Sequence, residues 1–160
     1  MTSLEQFPSD GIVDSHHHFW DLSKLEYSWM PKGDSVLNRD YLPQDMESLL
    51  KSNGVTQTVL VQAHTSVEEA EWLLNLANSN PYIAGVVAWV DLTDPKVGFV
   101  LDRLAVNQKL KGVRHQVHDE SDDNWLLRKD VLSGLQELVR HNLAYDLLLM
   151  PQHIQPAIAP

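Results

Sequence analysis

Ile12-Val13-Asp14-Ser15-His16-His17-His18-Phe19-Trp20 is the stretch on which the reading of this chain turns. It sets a short apolar strand start directly against three imidazoles and an aromatic pair. Side chains on a strand alternate between faces, so His16 and His18 point one way and His17 the other. Two imidazoles at i and i+2 can converge on one small object, and a divalent metal ion is the usual candidate. Three histidines inside an apolar segment that continues into Phe19-Trp20 do not read as a purification tag. The plain alternative for His16 and His18 is a pair of partly buried, hydrogen-bonded histidines, and for His17 that plain role is the expected one.

Outward from this strand the chain alternates two periods. A long loop carrying Trp20, Tyr27, Trp29, Pro31 and Gly33 follows, and a long aromatic loop after a strand suggests the rim of a site. A helix is predicted from Pro43 to about Ser52, then a buried strand over Thr58 to Gln62. Ser66 can cap a second helix with Glu69 three residues on, running to about Asn78. Ile83 to Val90 is the third strand, and Asp94-Pro95 opens a helix ending before Lys111-Gly112. Val113 to Val117 is the fourth strand, Val131 to His141 the fourth helix, and Ala144 to Leu149 the fifth strand. Pro151 to Pro160 begins a loop or helix, and residues 1–10 read as a polar N-terminal extension.

Five strands with four intervening helices and near-continuous apolar runs predict an α/β protein with a parallel sheet. Candidate side chains gather where the strands finish: His16 and His18, Gln62 and His64, Trp89 and Asp91, Arg114 and His115, and Asp146. Both open α/β sheets and (β/α)8 barrels bind ligands at the carboxyl ends of their strands. No GxGxxG or GxxxxGK[ST] follows any strand, so a phosphate-cradling open sheet has no support. A full barrel takes about 250 residues and eight strands. The expectation is therefore an incomplete (β/α)8 TIM-type barrel of about five βα units over residues 11–160.

Composition narrows the chemistry. Twelve Lys and Arg against 22 Asp and Glu give a net charge of −10, which repels nucleic acid and anionic membrane and leaves a small-molecule substrate as the default. With no cysteine there is no disulfide, thiolate metal site or cysteine nucleophile, so any metal must be held by imidazole and carboxylate. No signal peptide or membrane-spanning run is apparent, and a cytoplasmic location is expected.

The motifs Asp14-Ser15-His16-His17-His18-Phe19-Trp20, Tyr27-Ser28-Trp29, Arg39-Asp40-Tyr41-Leu42-Pro43, Val61-Gln62-Ala63, Trp89-Val90-Asp91-Leu92, Lys111-Gly112-Val113-Arg114-His115-Gln116 and Tyr145-Asp146 occur in one order. In that order they resemble the amidohydrolase-related family, and within it the L-fuconolactonase-like lactone hydrolases. The resemblance implies an amidohydrolase-superfamily barrel and hydrolysis of a cyclic ester, with sugar-acid lactones as the substrate class. It implies His16 and His18 as the catalytic and metal-binding pair, with zinc the expected ion, and gives His17 no role. Arg114 and His115 match the family's substrate-pocket pair, and Gln62, Trp89, Trp29 and Asp146 complete the candidate substrate-binding set. Relatives carry a further histidine on a later strand and a water-activating aspartate on the last one.

Plainer roles stand beside these. Arg114 could pair with Asp91, Asp119 or Glu120, and Trp29, Trp20 and Trp125 could pack onto their own scaffold. His64, His118, His141 and His153 read as surface or loop histidines, and Asp119, Glu120, Asp122 and Asp123 as a solvated acidic loop. His115 alternates to the face opposite Arg114. Three readings of the whole remain open: a lactone hydrolase, a non-catalytic unit whose open sheet edges need a partner or self-association, and a decarboxylase of the same family.

Overall fold

The computed structural model describes residues 11–158. The expected extension over residues 1–10 and the last two residues of the expected closing segment lie outside the described residues. Five strands, β1 (Ile12–His17), β2 (Val55–Val61), β3 (Ile83–Ala88), β4 (Leu110–His115) and β5 (Ala144–Leu147), alternate with α1 (Pro43–Ser52), α2 (Val67–Ser79), α3 (Val97–Leu104) and α4 (Lys129–Arg140), and α5 (Ile154–Ile158) follows β5. Short 3-10 turns occur at Val117–Asp119, Trp125–Leu127 and Pro151–His153.

All five strands are parallel and lie in the order β1-β2-β3-β4-β5. A doubly wound sheet would place β1 in its interior; here β1 is at one edge, which is the barrel order. The sheet is also curled. Arg114 at the end of β4 brings its Nη1 to 3.2 Å from the Nε2 of His16 on β1. On a flat sheet those strands would stand about 14 Å apart. Their side chains meet because the sheet wraps around its inner face, giving the first part of a (β/α)8 barrel.

Burial periodicity explains why these segments take these forms. On α2, Ala70, Leu73, Leu74 and Ala77 fall on one helical face and are buried against β3, whose Ile83, Val86 and Ala88 are sealed from solvent. On α4, Gly134 lets the helix approach so closely that an added Cβ would lie 2.2 Å from the carbonyl oxygen of Leu92. The main core therefore sits between the helices and the outer face of the sheet, with Leu60, Leu101, Val113 and Leu138 at its centre. A smaller aromatic cluster of Trp20 and Tyr27 packs with Ala63 at the strand ends.

Several sequence expectations need correction. The fourth strand begins at Leu110 and ends at His115, because the chain after Gln116 coils into a 3-10 turn and buries Val117 there. The third helix begins at Val97, since the Asp94 carboxylate accepts from Lys96 N–H at 2.8 Å and stops the turn before it. The fifth strand ends at Leu147. His153 is a core residue, 1% exposed, and its Nδ1 accepts the Met150 N–H at 3.0 Å.

Candidate active site

Alternation along β1 places the three histidines as different objects. His17 is turned into the structure, where its Nε2 lies 2.9 Å from Thr58 Oγ1 and burial pushes its imidazole down to about 4. His16 and His18 share the inner face, with their Nε2 atoms 3.2 Å apart. The Nδ1 of His18 lies 2.9 Å from the carbonyl oxygen of Val61, which can only accept, so the proton is assigned to that nitrogen. Arg114 Nη1 lies 3.2 Å from His16 Nε2, and a guanidinium can only donate. Both Nε2 atoms are therefore assigned as acceptors, that of His16 engaged by Arg114 and that of His18 left without a proton beside it. Burial, together with the charges of Arg114 and His16, holds His18 below the ordinary histidine value despite its bond to Val61.

Arg114 and Gln62 form the floor beside this pair. Arg114 Nη2 donates to the backbone oxygen of Gln62 at 2.6 Å and to its Oε1 at 3.0 Å. The alternative ion pairs of Arg114 with Asp91, Asp119 or Glu120 do not form among the described residues. Gln62 is wholly buried, and its Nε2, the Nε of Arg114 and the Oε1 of Gln116 have no protein partner among the described residues. Burial lowers the affinity of Arg114 for its proton, while Asp146, opposite it in the β4–β5 register, and Glu69 act the other way. Buried polar atoms without partners are uncommon, and three of them around one guanidinium mark a place built to receive polar groups.

Above that floor opens a cleft of about 290 Å3 at the carboxyl ends of the strands. One wall is aromatic. Trp20 donates its indole N–H to Arg39 O at 2.8 Å and Trp29 to Ala63 O at 2.7 Å, and the two rings meet edge to face at 5.3 Å. The other wall is polar, formed by Gln116, His118 and Asp119 on the turn after β4. A larger hollow of about 840 Å3 lies elsewhere, between α2 and α3, crossed by the Arg103–Glu71 ion pair. None of the candidate site residues lines it.

The candidates thus divide. His18, Gln62, Arg114 and Trp29 line the cleft, with His16 bonded to its floor. His115 and Trp89 sit apart from it: His115 stacks on Trp125 with ring centres 4.1 Å apart, accepts the Trp89 indole N–H at 3.2 Å and meets Glu120 Oε1 at 2.7 Å. Because Trp89 can only donate, the His115 proton is assigned to Nε2, facing Glu120. Asp146 acts on the cleft through the charge it places near Arg114. Sequence reasoning set aside Trp20, His118 and Asp119 and gave Gln116 no role beyond its place in a motif, yet all four line the cleft. The available signal was position, since each lies within five residues of a predicted strand end.

Glu69 was read as one half of a capping box. Ser66 Oγ does accept the Glu69 N–H at 3.2 Å, but the Glu69 carboxylate is buried and accepts instead from Ala63 N–H at 3.0 Å and His64 N–H at 2.8 Å. Burial raises its carboxyl to about 7 against the pull of those two bonds.

A family model described as amidohydrolase matches residues 13–160. An L-fucono-1,5-lactonase of Burkholderia ambifaria is 33% identical over 147 residues, which is 92% of this chain and 51% of that protein. A crystal structure of an amidohydrolase from Burkholderia multivorans with bound HEPES superposes with a TM-score of 0.83 at 33% identity, over 91% of this chain and 50% of that one. Its zinc-bound crystal form gives a TM-score of 0.80 at 33% identity, over 91% of this chain and 51% of that one. The chain spans about half the length of the curated relatives it matches. With its parallel barrel-order sheet, its inward-facing histidine pair and this match over nearly all its residues, the chain belongs to the amidohydrolase family.

Proposed function

We propose that this chain carries the carbonyl-binding part of a lactone-hydrolase site for sugar-acid lactones. The observation that carries the reading is the convergence of the His16 and His18 Nε2 atoms with the Arg114 guanidinium at the floor of a cleft that is aromatic on one side and polar on the other. An aromatic wall suits the C–H face of a sugar ring, and Gln116, His118 and Asp119 offer donors and acceptors for hydroxyls. The curated L-fucono-1,5-lactonases support the substrate class.

The histidine pair fits a divalent metal ion in part. The two Nε2 atoms lie 3.2 Å apart and a bound ion would take the His16 lone pair over from Arg114, while the His18 ring is anchored through Nδ1 to a backbone carbonyl, the usual outer support of a metal-bound histidine. Among the described residues no group of three or more ligating side chains forms, so His16 and His18 supply two ligands where catalytic zinc ordinarily has three. When bound, such an ion polarises a carbonyl as a Lewis acid. Arg114 Nη1, with the unpartnered Gln62 Nε2 beside it, would donate to the lactone carbonyl oxygen as charge develops on it. Trp20 and Trp29 shield the ring face from water. The Asp14 carboxylate already accepts the His16 N–H at 3.1 Å, and we assign the water-activating base to no described residue.

The test is a panel of five- and six-membered sugar-acid lactones and hydroxyl-free lactones presented to the purified chain, with binding measured by calorimetry and ring opening by pH indicator. Tighter binding of the hydroxylated members, lost in Arg114→Ala, is expected. Equal binding of both classes, or none, sinks the reading.

A second reading, of a unit that functions only when paired, draws on the half-exposed Val13 and Leu147 at the two outer strands of the sheet. Light scattering decides it: a compact monomer at high concentration removes its premise.

A further inference from the structure

A fully buried carboxylate in a chain of this kind needs a reason. Glu is almost never sealed from water unless it is paired, yet Glu69 is 0% exposed and forms no salt bridge among the described residues. Helix capping does not account for it, since its side chain turns away from Ser66 toward the turn that follows β2. There Oε2 accepts both Ala63 N–H and His64 N–H, while Oε1 is buried without a partner. The carbonyl of Ala63, in the same peptide plane as the His64 N–H, accepts the Trp29 indole N–H at 2.7 Å. The Trp29 ring sits 5.3 Å from the Trp20 ring and 5.8 Å from that of Tyr27, and the residue is 44% exposed at the cleft mouth.

A long loop separates Trp29 from the sheet, and within that loop its polar tie to the sheet is this one carbonyl. That carbonyl and the His64 N–H belong to one planar trans peptide unit and point in opposite directions, and the Ala63 N–H belongs to the unit before it. One oxygen holding both N–H groups fixes these two units and with them the direction of the carbonyl. The titratable groups facing the carboxylate are the Tyr27 hydroxyl from the aromatic loop and the Arg114 guanidinium from β4, while the His64 imidazole packs on the Tyr27 ring at 5.6 Å.

We propose that Glu69 is a positioning residue for the cleft: by clamping the Ala63–His64 turn it aims the Ala63 carbonyl that holds Trp29 as the aromatic wall. The role in binding rests on the lactone reading above; the clamp itself does not, and it is read without any lactone present.

The experiment follows the indole N–H resonances of the full chain by NMR, with the Trp29 signal identified by Trp29→Phe and the buried Trp125 signal serving as a reporter of the fold. Glu69→Gln keeps an oxygen where Oε2 stands, and Glu69→Leu keeps the volume without an acceptor. The expected result is a Trp29 signal that is unchanged in Glu69→Gln but moves to the exposed-indole position in Glu69→Leu, with hydrogen exchange at least tenfold faster and Trp125 unmoved. A Trp29 signal unmoved in a folded Glu69→Leu overturns the proposal, as does its displacement in Glu69→Gln. Should Glu69→Leu lose the Trp125 signal, hydrogen exchange in the wild type and Glu69→Gln decides. Slow exchange of the Ala63 and His64 amides together with the Trp29 indole in both proteins supports the clamp, and any other pattern overturns it.

Discussion

The Nε2 atoms of His16 and His18 face each other at 3.2 Å with no proton assigned between them, because Arg114 occupies one lone pair from outside and the Val61 carbonyl keeps the other ring's proton on Nδ1. A cation held by the pair would use the His18 lone pair and take that of His16 over from Arg114. Zinc binding measured by calorimetry at pH 7.5 is therefore expected to weaken at least about tenfold in His16→Ala and in His18→Ala. In His17→Ala it should be unchanged, the cost appearing instead as about 1–3 kcal/mol of stability from the unpaired Thr58 hydroxyl and the lost packing. Equal zinc affinity across the three variants would refute the assignment.

Arg114 makes two bonds to Gln62 with one nitrogen and reaches His16 with another. A lysine amine is a single point on a flexible stem and cannot span both. Arg114→Lys should thus keep the local charge yet weaken lactone binding by about 2 kcal/mol, some thirtyfold. The check is titration of the tightest lactone of the panel against wild type and variant.

Glu69 carries a pH signature with a definite sign. Its carboxyl is raised from 4.5 to about 7 in the folded chain, so between those values the folded state holds a proton that the unfolded state has released. Stability from this group is present below the unfolded value and is lost as pH rises through the folded one. Glu69→Gln removes the linkage. Its unfolding free energy relative to wild type should therefore increase by about 3 kcal/mol between pH 5 and pH 8. Urea melts at the two pH values measure this, and parallel pH dependence in the two proteins would contradict it.

The same sign applies to a tie between α3 and α4. His141 meets the backbone oxygen of Glu137 at 2.7 Å and Asp102 Oδ1 at 2.9 Å, contacts that raise its imidazole in that order of importance. Stabilisation by a raised histidine is complete below the unfolded value of 6.5 and disappears as pH climbs through the folded one. Asp102→Asn should flatten part of the stability loss above pH 6.5. Melting temperatures across pH 5.5–8.5 would show it, and identical slopes for the two proteins would exclude the tie.

The strands were legible because β2, β3 and β4 are buried on the face toward the helices and read as apolar runs. The facing of His16 and His18 followed from strand alternation alone. The barrel order was harder, since periodicity places strands without ordering them, and only the histidine-bearing first strand and the missing phosphate motifs argued for it. The polar wall was not legible. His118 and Asp119 lie on a 3-10 turn and Gln116 caps it, and so short a turn has no periodicity to betray its facing. Glu69 was misread for a different reason: a Ser three residues before a Glu satisfies a local capping rule, and only the tertiary fold brings the Ala63–His64 turn within reach to claim the carboxylate. His153 likewise looked like a loop residue because its burial depends on the packing of neighbouring elements.

Each strand pairs only with its neighbour in sequence, so the sheet can grow one unit at a time over short loops. The contact between His16 and Arg114 is of another kind, joining residues 98 positions apart across three strand spacings. Local order therefore precedes competence: a refolding chain can display most of its helix signal before the first and fourth strands have closed on each other. A ligand of the cleft would leave the early phases of refolding unchanged and act only after that closure, making its binding a clock for the last step of assembly and not a template for the first.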